Sequence, residues 1–226
     1  MNVAAAACAI EQLNVWSSRH DQALPALEQI PAMQRRRLSP LAKIALSVAI
    51  QSVSTLREQQ QAVDYIVWAS RFGDEEKTLG IIQDISLSQT PSPTAFSTSV
   101  HNAIAGLYSI LCQDATPSTS LSAGEETFSQ SFIESCALLH TGAAERVLLV
   151  YYDQALPAIY QDIPAEQQPT LAIALVLGKT AGRELALQLA DVPLAIGGHE
   201  AELFYKNYVN PALAQWQHGR YVWEKV

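Results

Sequence analysis

The chain has 226 residues, 49% of them apolar and 16% charged, with 14 basic against 22 acidic side chains and a formal net charge of −8. This length suits one large domain or two small ones, with core enough to fold without disulfides or metal staples, and the apolar content excludes disorder. The acidic balance argues against a phosphate-binding surface and leaves Arg35, Arg36 and Arg37 as the only basic cluster, so nucleic acid is not an expected partner.

Residues 3–10, from Val3 to Ile10, form a short apolar run that reads as a buried strand entering a loop at Asn14, Ser17 and Ser18. Ser39-Pro40 is a helix start, serine at the cap and proline in the first turn, and Leu41, Ile44, Ala45, Val48, Ala49, Ser52, Val53 and Leu56 then keep the 3.6-residue period. Residues 62–69, with Val63, Tyr65, Ile66, Val67 and Trp68, read as a central strand. Residues 75–85 have helical spacing at Leu79, Ile82 and Ile85, until Pro91 and Pro93 force extended backbone. A helix resumes over 103–111. Residues 116–122 form a polar, β-branched strand that meets Gly124 at a tight turn, and the next helix carries Phe128, Phe132, Cys136 and Leu139 on one face. Two strands follow at 147–152 and 171–177, joined by a loop with Pro157, Pro164 and Pro169. Beyond Thr180 the spacing suggests a short helix over 183–189, a break at Gly197-Gly198 and an amphipathic stretch over 200–216 with Leu203, Tyr208 and Leu213. Helices alternating with apolar strands predict a layered α/β sheet.

The longest apolar runs fall far short of the roughly 20 residues that span a bilayer, and the N-terminus lacks the basic segment of a secretory signal, so a cytoplasmic location is expected. Cys8, Cys112 and Cys136 are too scattered for a disulfide framework or a zinc site, and each reads as a small core residue. Neither a metal-ligand spacing nor a nucleotide-binding glycine motif occurs, so no cofactor is expected.

Two stretches stand out together: Ala69-Ser70-Arg71-Phe72-Gly73-Asp74 after the Trp68 strand, and Ser92-Pro93-Thr94 leading to Ser97-Thr98-Ser99-Val100-His101-Asn102-Ala103-Ile104-Ala105-Gly106. These stretches resemble the β-ketoacyl synthase N-terminal domain, and the likeness continues through the 117–124 strand and turn, the helix after it, and the strand bearing Tyr151, Tyr152 and Asp153. More narrowly, the chain is similar to the short chain-length-factor-like proteins that accompany a ketosynthase in aryl-polyene-type biosynthesis. The resemblance implies a truncated thiolase-like layered sheet with flanking helices. It places a ketosynthase-like domain over residues 1–179 and leaves 180–226 as a helical tail packed on the same domain.

In such condensing enzymes a cysteine sits at the turn between a strand and a buried helix, where the helix N-terminus lowers the thiol pKa and backbone N–H groups hold the oxyanion. The matching turn is Ser122-Ala123-Gly124-Glu125-Glu126, and the position implied for the nucleophile is Gly124, which has no side chain to acylate. The family's catalytic histidines belong to its second half, which is mostly missing here, so no role passes to His20, His140, His199 or His218, and His101 gets a structural or interface part. The implied function is a non-catalytic partner that forms a heterodimer with a catalytic ketosynthase in type II fatty acid or polyketide biosynthesis. It meets the acyl carrier protein through that complex. The strand with Thr116, Ser118, Ser120 and Ser122 would pair across the two-fold axis. Phe96, Ser99, Val100 and Ile104, with His101 and Asn102, would line or flank the acyl tunnel. Two alternatives stand beside this: an acyl-transfer enzyme using Ser122 or a cysteine, and a module that docks the acidic carrier protein through Arg35–Arg37 and Arg71.

Overall fold

The structure is a computed structural model that describes residues 6–21, 23–160, 169–195 and 197–226; Val3 and Pro164 lie outside the described residues. Strand β1 (Ala6–Ser17) is longer than the apolar run suggests. Its polar residues are accommodated inside the sheet: Asn14 donates to the Ser52 hydroxyl (2.8 Å), and Glu11 pairs with Arg146 (2.7 Å) beside a register shift between Ile10 and Gln12. A short helix α1 (Ala32–Arg35) precedes α2 (Pro40–Glu58), whose cap is the expected one, Ser39 accepting from the Ala42 N–H at 3.2 Å.

Then come β2 (Tyr65–Ala69), α3 (Glu75–Ser86), α4 (Pro93–Ser97), α5 (Ala103–Cys112) and β3 (Ser118–Leu121). A 3-10 turn (Gly124–Glu126) runs straight into α6 (Thr127–His140), followed by β4 (Arg146–Asp153) and β5 (Leu171–Gly178). The remainder forms β6 (Arg183–Leu189), α7 (Glu200–Val209), β7 (Gln215–His218) and β8 (Tyr221–Lys225). The segment 183–189 is therefore a strand and not a helix, and 180–226 is not a helical tail: its strands add to the sheet that starts with β3.

That sheet runs in the order β3-β2-β4-β5-β1-β6-β8-β7. β3, β2 and β4 are mutually parallel; β5 is antiparallel to both β4 and β1. The central strands are covered on both faces, which is why β4 between Val147 and Tyr152 and β5 from Leu171 to Leu177 are continuous apolar runs instead of alternating. Val147, Leu149 and Tyr151 face α6 and α7, in a core with Phe128, Phe132, Phe204 and Trp223. Leu148, Val150 and Tyr152 face α2 and α5, in a second core with Leu41, Ile44, Trp68 and Tyr108. Helix α3 forms where its spacing predicts but buries no residue, and Ile82, Ile85 and Leu87 at its end are exposed. Among the described residues no helix is long and apolar enough to cross a membrane.

Candidate functional site at the ends of the parallel strands

β2, β3 and β4 all end at the same edge of the sheet, the place where open α/β sheets gather their functional loops. After β2 the chain turns at Ser70, whose hydroxyl donates to Asp153 Oδ1 (2.8 Å) and accepts from the Gly73 N–H (2.7 Å). Asp153, at the end of β4, also accepts from the Arg71 N–H (3.1 Å to each oxygen) and from the Tyr151 hydroxyl (2.5 Å). A buried carboxylate with this many donors fixes the β2–α3 loop against β4. His101 Nε2 lies 2.9 Å from the Ser70 carbonyl, so the Ser-Val-His-Asn segment is tied to the same loop.

The turn after β3 is built from the other side. Ser122 donates to the Arg71 carbonyl (2.9 Å), and Thr127 Oγ1 donates to the Gly124 carbonyl (2.7 Å) while accepting from the Ala123 N–H (2.9 Å). Gly124 has φ +61°, a left-handed conformation in which a glycine is unstrained, and a Cβ built there meets nothing within 4 Å. Charges ring the turn: Glu125 lies 3.4 Å from Arg71, and Glu126 lies 2.6 Å from Arg220.

The last side of the site comes from residues that the sequence left without a role. His199 caps α7, its Nδ1 accepting from the Glu202 N–H (3.4 Å) and its Nε2 3.4 Å from the Tyr151 hydroxyl. Glu200 reaches across to the start of α6, where its carboxylate accepts from the Phe128 N–H (2.9 Å), the Ser129 N–H (3.3 Å) and the Ser129 hydroxyl. His218, buried beneath, has Nδ1 4.0 Å from Glu200 Oε1. Tyr151, buried beside Asp153, is held well above the usual phenol range by its burial and then by that carboxylate.

Burial pushes Glu200 from 4.5 up to about 7, outweighing the hydrogen bonds from Ser129 and Phe128 that favour its ionised form. His199 and His218 are lowered from 6.5, in both cases first by burial. Because the folded pKa of Glu200 is raised, the stability it confers is complete below about pH 4.5 and is lost as pH rises through about 7, on the order of 3 kcal/mol. The two histidines act in the opposite sense: their neutral forms contribute above pH 6.5, and that contribution is lost as pH falls through their lowered values. Glu200→Gln removes only the first slope. The melting temperature of the variant relative to the parent is expected to climb between pH 5 and 7.5, and a difference that stays flat across this range contradicts the assignment.

The residues expected at a partner's interface are dispersed in kind. Phe96 is 63% exposed and Val100 42% exposed, on α4 and in the loop after it. Ser99 caps its own turn by donating to the Phe96 carbonyl, and Asn102 stands at the start of α5. Ile104 is 4% exposed and packs in this chain's own core, so it supports α5 and lines no outer surface. Thr116 donates its N–H to Asp114 just before β3, and Ser118 and Ser120 lie on β3, the edge strand.

As for substitute nucleophiles, the proton of Ser122 is committed to a carbonyl, with no histidine nitrogen bonded to its hydroxyl among the described residues. Cys8 and Cys136 are buried with their sulfurs 2.9 Å apart; the Cys8 thiol is pushed far up by that contact and then by burial. Burial, with Asp114 nearby, pushes Cys112 up to about 11. Both shifts run opposite to the lowered thiol pKa that marks an activated nucleophile.

A family model described as "Beta-ketoacyl synthase, N-terminal domain" matches residues 10–213. Among solved structures, the chain is similar to a chain of a ketosynthase in complex with its chain length factor from Xenorhabdus doucetiae, at 27% identity and TM-score 0.75, over 91% of this chain and 85% of that one. The ishigamide ketosynthase/chain length factor is 14% identical, with TM-score 0.58 over 81% of this chain and 67% of that one. A type II acyl-carrier protein in complex with its ketosynthase bound to the hexaketide gives 13% identity and TM-score 0.58 over 84% and 70%. No curated protein matches the sequence. The last two structures share the fold, a thiolase-like mixed sheet with flanking helices. With the family model covering nearly the whole chain, the chain belongs to the β-ketoacyl synthase N-terminal domain family.

Proposed function

We propose that this chain is a non-catalytic, chain-length-factor-like subunit that forms a heterodimer with a catalytic ketosynthase and helps to shape its acyl tunnel in type II fatty acid or polyketide biosynthesis. The observation that carries the reading is Gly124: in the turn between β3 and α6, the position that the family resemblance implies for the nucleophile has no side chain to acylate. Support comes from the place of β3 at the edge of the sheet among the described residues, from the exposed Phe96 and Val100, and from the likeness to a ketosynthase and chain length factor complex. In this reading β3 pairs with its counterpart in the ketosynthase, and the bulk of Phe96 and Val100 limits how far an acyl chain extends. The acyl carrier protein meets this chain through the complex.

Acyl-carrier-protein thioester added to the reconstituted pair, followed by intact-mass analysis, is expected to acylate the ketosynthase and leave this chain unmodified. Acylation or thioester turnover by this chain alone overturns the non-catalytic reading. In the same system Val100→Trp is expected to shorten the products and Phe96→Ala to lengthen them. Product lengths unchanged in both variants overturn the tunnel assignment.

A further inference from the structure

The first turn of a helix leaves backbone N–H groups without intrahelical partners, and together with the macrodipole they favour a negative charge. At α6 these donors are taken. Phe128 and Ser129 both donate their N–H groups to Glu200, and the Ser129 hydroxyl joins them. Glu200 is 6% exposed and arrives from the first residue of α7, 72 residues further along the chain. The turn that precedes α6 gathers further negative charge at Glu125 and Glu126, answered by Arg71 and Arg220, while His218 lies beside Glu200. No neighbouring atom bars a side chain at position 124, although its left-handed φ of +61° strains any residue but glycine.

We propose that Glu200 is a second lock on this turn: an internal anion that occupies the α6 donors and would hold any thiol placed at position 124 in its protonated, unreactive form. The inference rests on the non-catalytic reading and extends it. A missing side chain could be restored by one substitution, whereas the folded-back carboxylate would still deny that side chain the positive helix end on which a condensing cysteine depends. The carboxylate is ionised through the range in which a thiol titrates, since burial takes Glu200 only to about 7.

The test compares Gly124→Cys with Gly124→Cys/Glu200→Gln in the full chain, alkylated with iodoacetamide from pH 6 to 10 and followed by mass at the residue-124 peptide. The single variant is expected to titrate at or above about 8.5, the ordinary thiol value. The double variant should titrate about one unit lower and react roughly 5- to 10-fold faster at pH 7. Equal titration curves in the two folded variants overturn the proposal, because a merely structural Glu200 changes stability without moving the thiol. Should Glu200→Gln fail to fold, Glu200→Asp withdraws the carboxylate from the α6 donors and is expected to shift the curve in the same direction by less; an unshifted curve again overturns it. Thioester turnover by the unsubstituted chain would sink the non-catalytic reading and leave this thiol comparison untouched, so the two failures are distinguishable.

Discussion

Ser120→Pro is expected to release the chain from the ketosynthase partner proposed above while its own fold stays intact. The parallel ladder decides why this position matters. Ile66 donates to the Pro117 carbonyl (3.0 Å) and Ser70 to the Leu121 carbonyl (3.2 Å), so residues 117, 119 and 121 turn their peptide groups toward β2. Ser118 and Ser120 turn theirs to the free edge, where an added strand would find them. Proline at 120 removes one outward donor and sets its ring into the path of the incoming strand, yet costs the β2 pairing nothing. Co-purification with the ketosynthase should fall at least tenfold with an unchanged far-UV circular dichroism spectrum. Thr119→Pro is the contrast: it takes a donor from the β2 ladder and should destabilise the chain itself. A Ser120→Pro chain that still co-purifies in full yield places the partner elsewhere.

The same periodicities explain which elements could be read from the sequence. α2 announces itself through Ser39, Pro40 and a long 3.6-residue stripe, and the structure keeps that stripe buried. The segment of β6 reads as a helix because Glu, Leu, Ala and Gln favour helices; the better guide is the two-residue alternation of Leu185, Leu187 and Leu189, with the first two fully buried. β7 and β8 carry the same alternation in Trp216 and His218, then Tyr221 and Trp223. β1 reads as shorter because Glu11, Gln12 and Asn14 are polar; Arg146 and Ser52 partner Glu11 and Asn14 within the sheet, while Gln12 Oε1 is buried with no hydrogen-bond partner among the described residues. At the site, the turn at Gly124 was legible, since strand, glycine and helix are contiguous. The contribution of Glu200 was not. A glutamate at the start of a helix reads as a local dipole partner, and nothing in the sequence says that it serves α6 and not α7.

Trp223→Ala is expected to remove a large share of the stability of the isolated chain, because the strands after residue 179 extend the sheet and share its core. Trp223 is 1% exposed, with its ring 4.9 Å from Phe132, 5.0 Å from Phe204, 5.9 Å from Phe128 and stacked on Trp216 at 6.1 Å. One side of this cluster is β8, which joins the central strands in the sheet through β6 and β1, and the other is the buried face of α6. Emptying the indole's volume leaves a cavity bounded by aromatic rings on several elements that cannot all move inward, so the cost belongs in the range of about 3–5 kcal/mol. Set against the roughly 5–15 kcal/mol that holds a domain together, and with about 2–4 °C per kcal/mol at this size, the melting temperature should drop by on the order of 10 °C. Ile110→Ala, at a side chain 73% exposed, should change the stability by no more than about 0.5 kcal/mol. The damage should also reach the site, since α7 packs on the same cluster through Phe204 and carries Glu200 to α6. Hydrogen exchange at the amides of Phe128 and Ser129 is therefore expected to speed up in Trp223→Ala and not in Ile110→Ala; equal protection in the two variants would show that the tail and the turn are energetically separate.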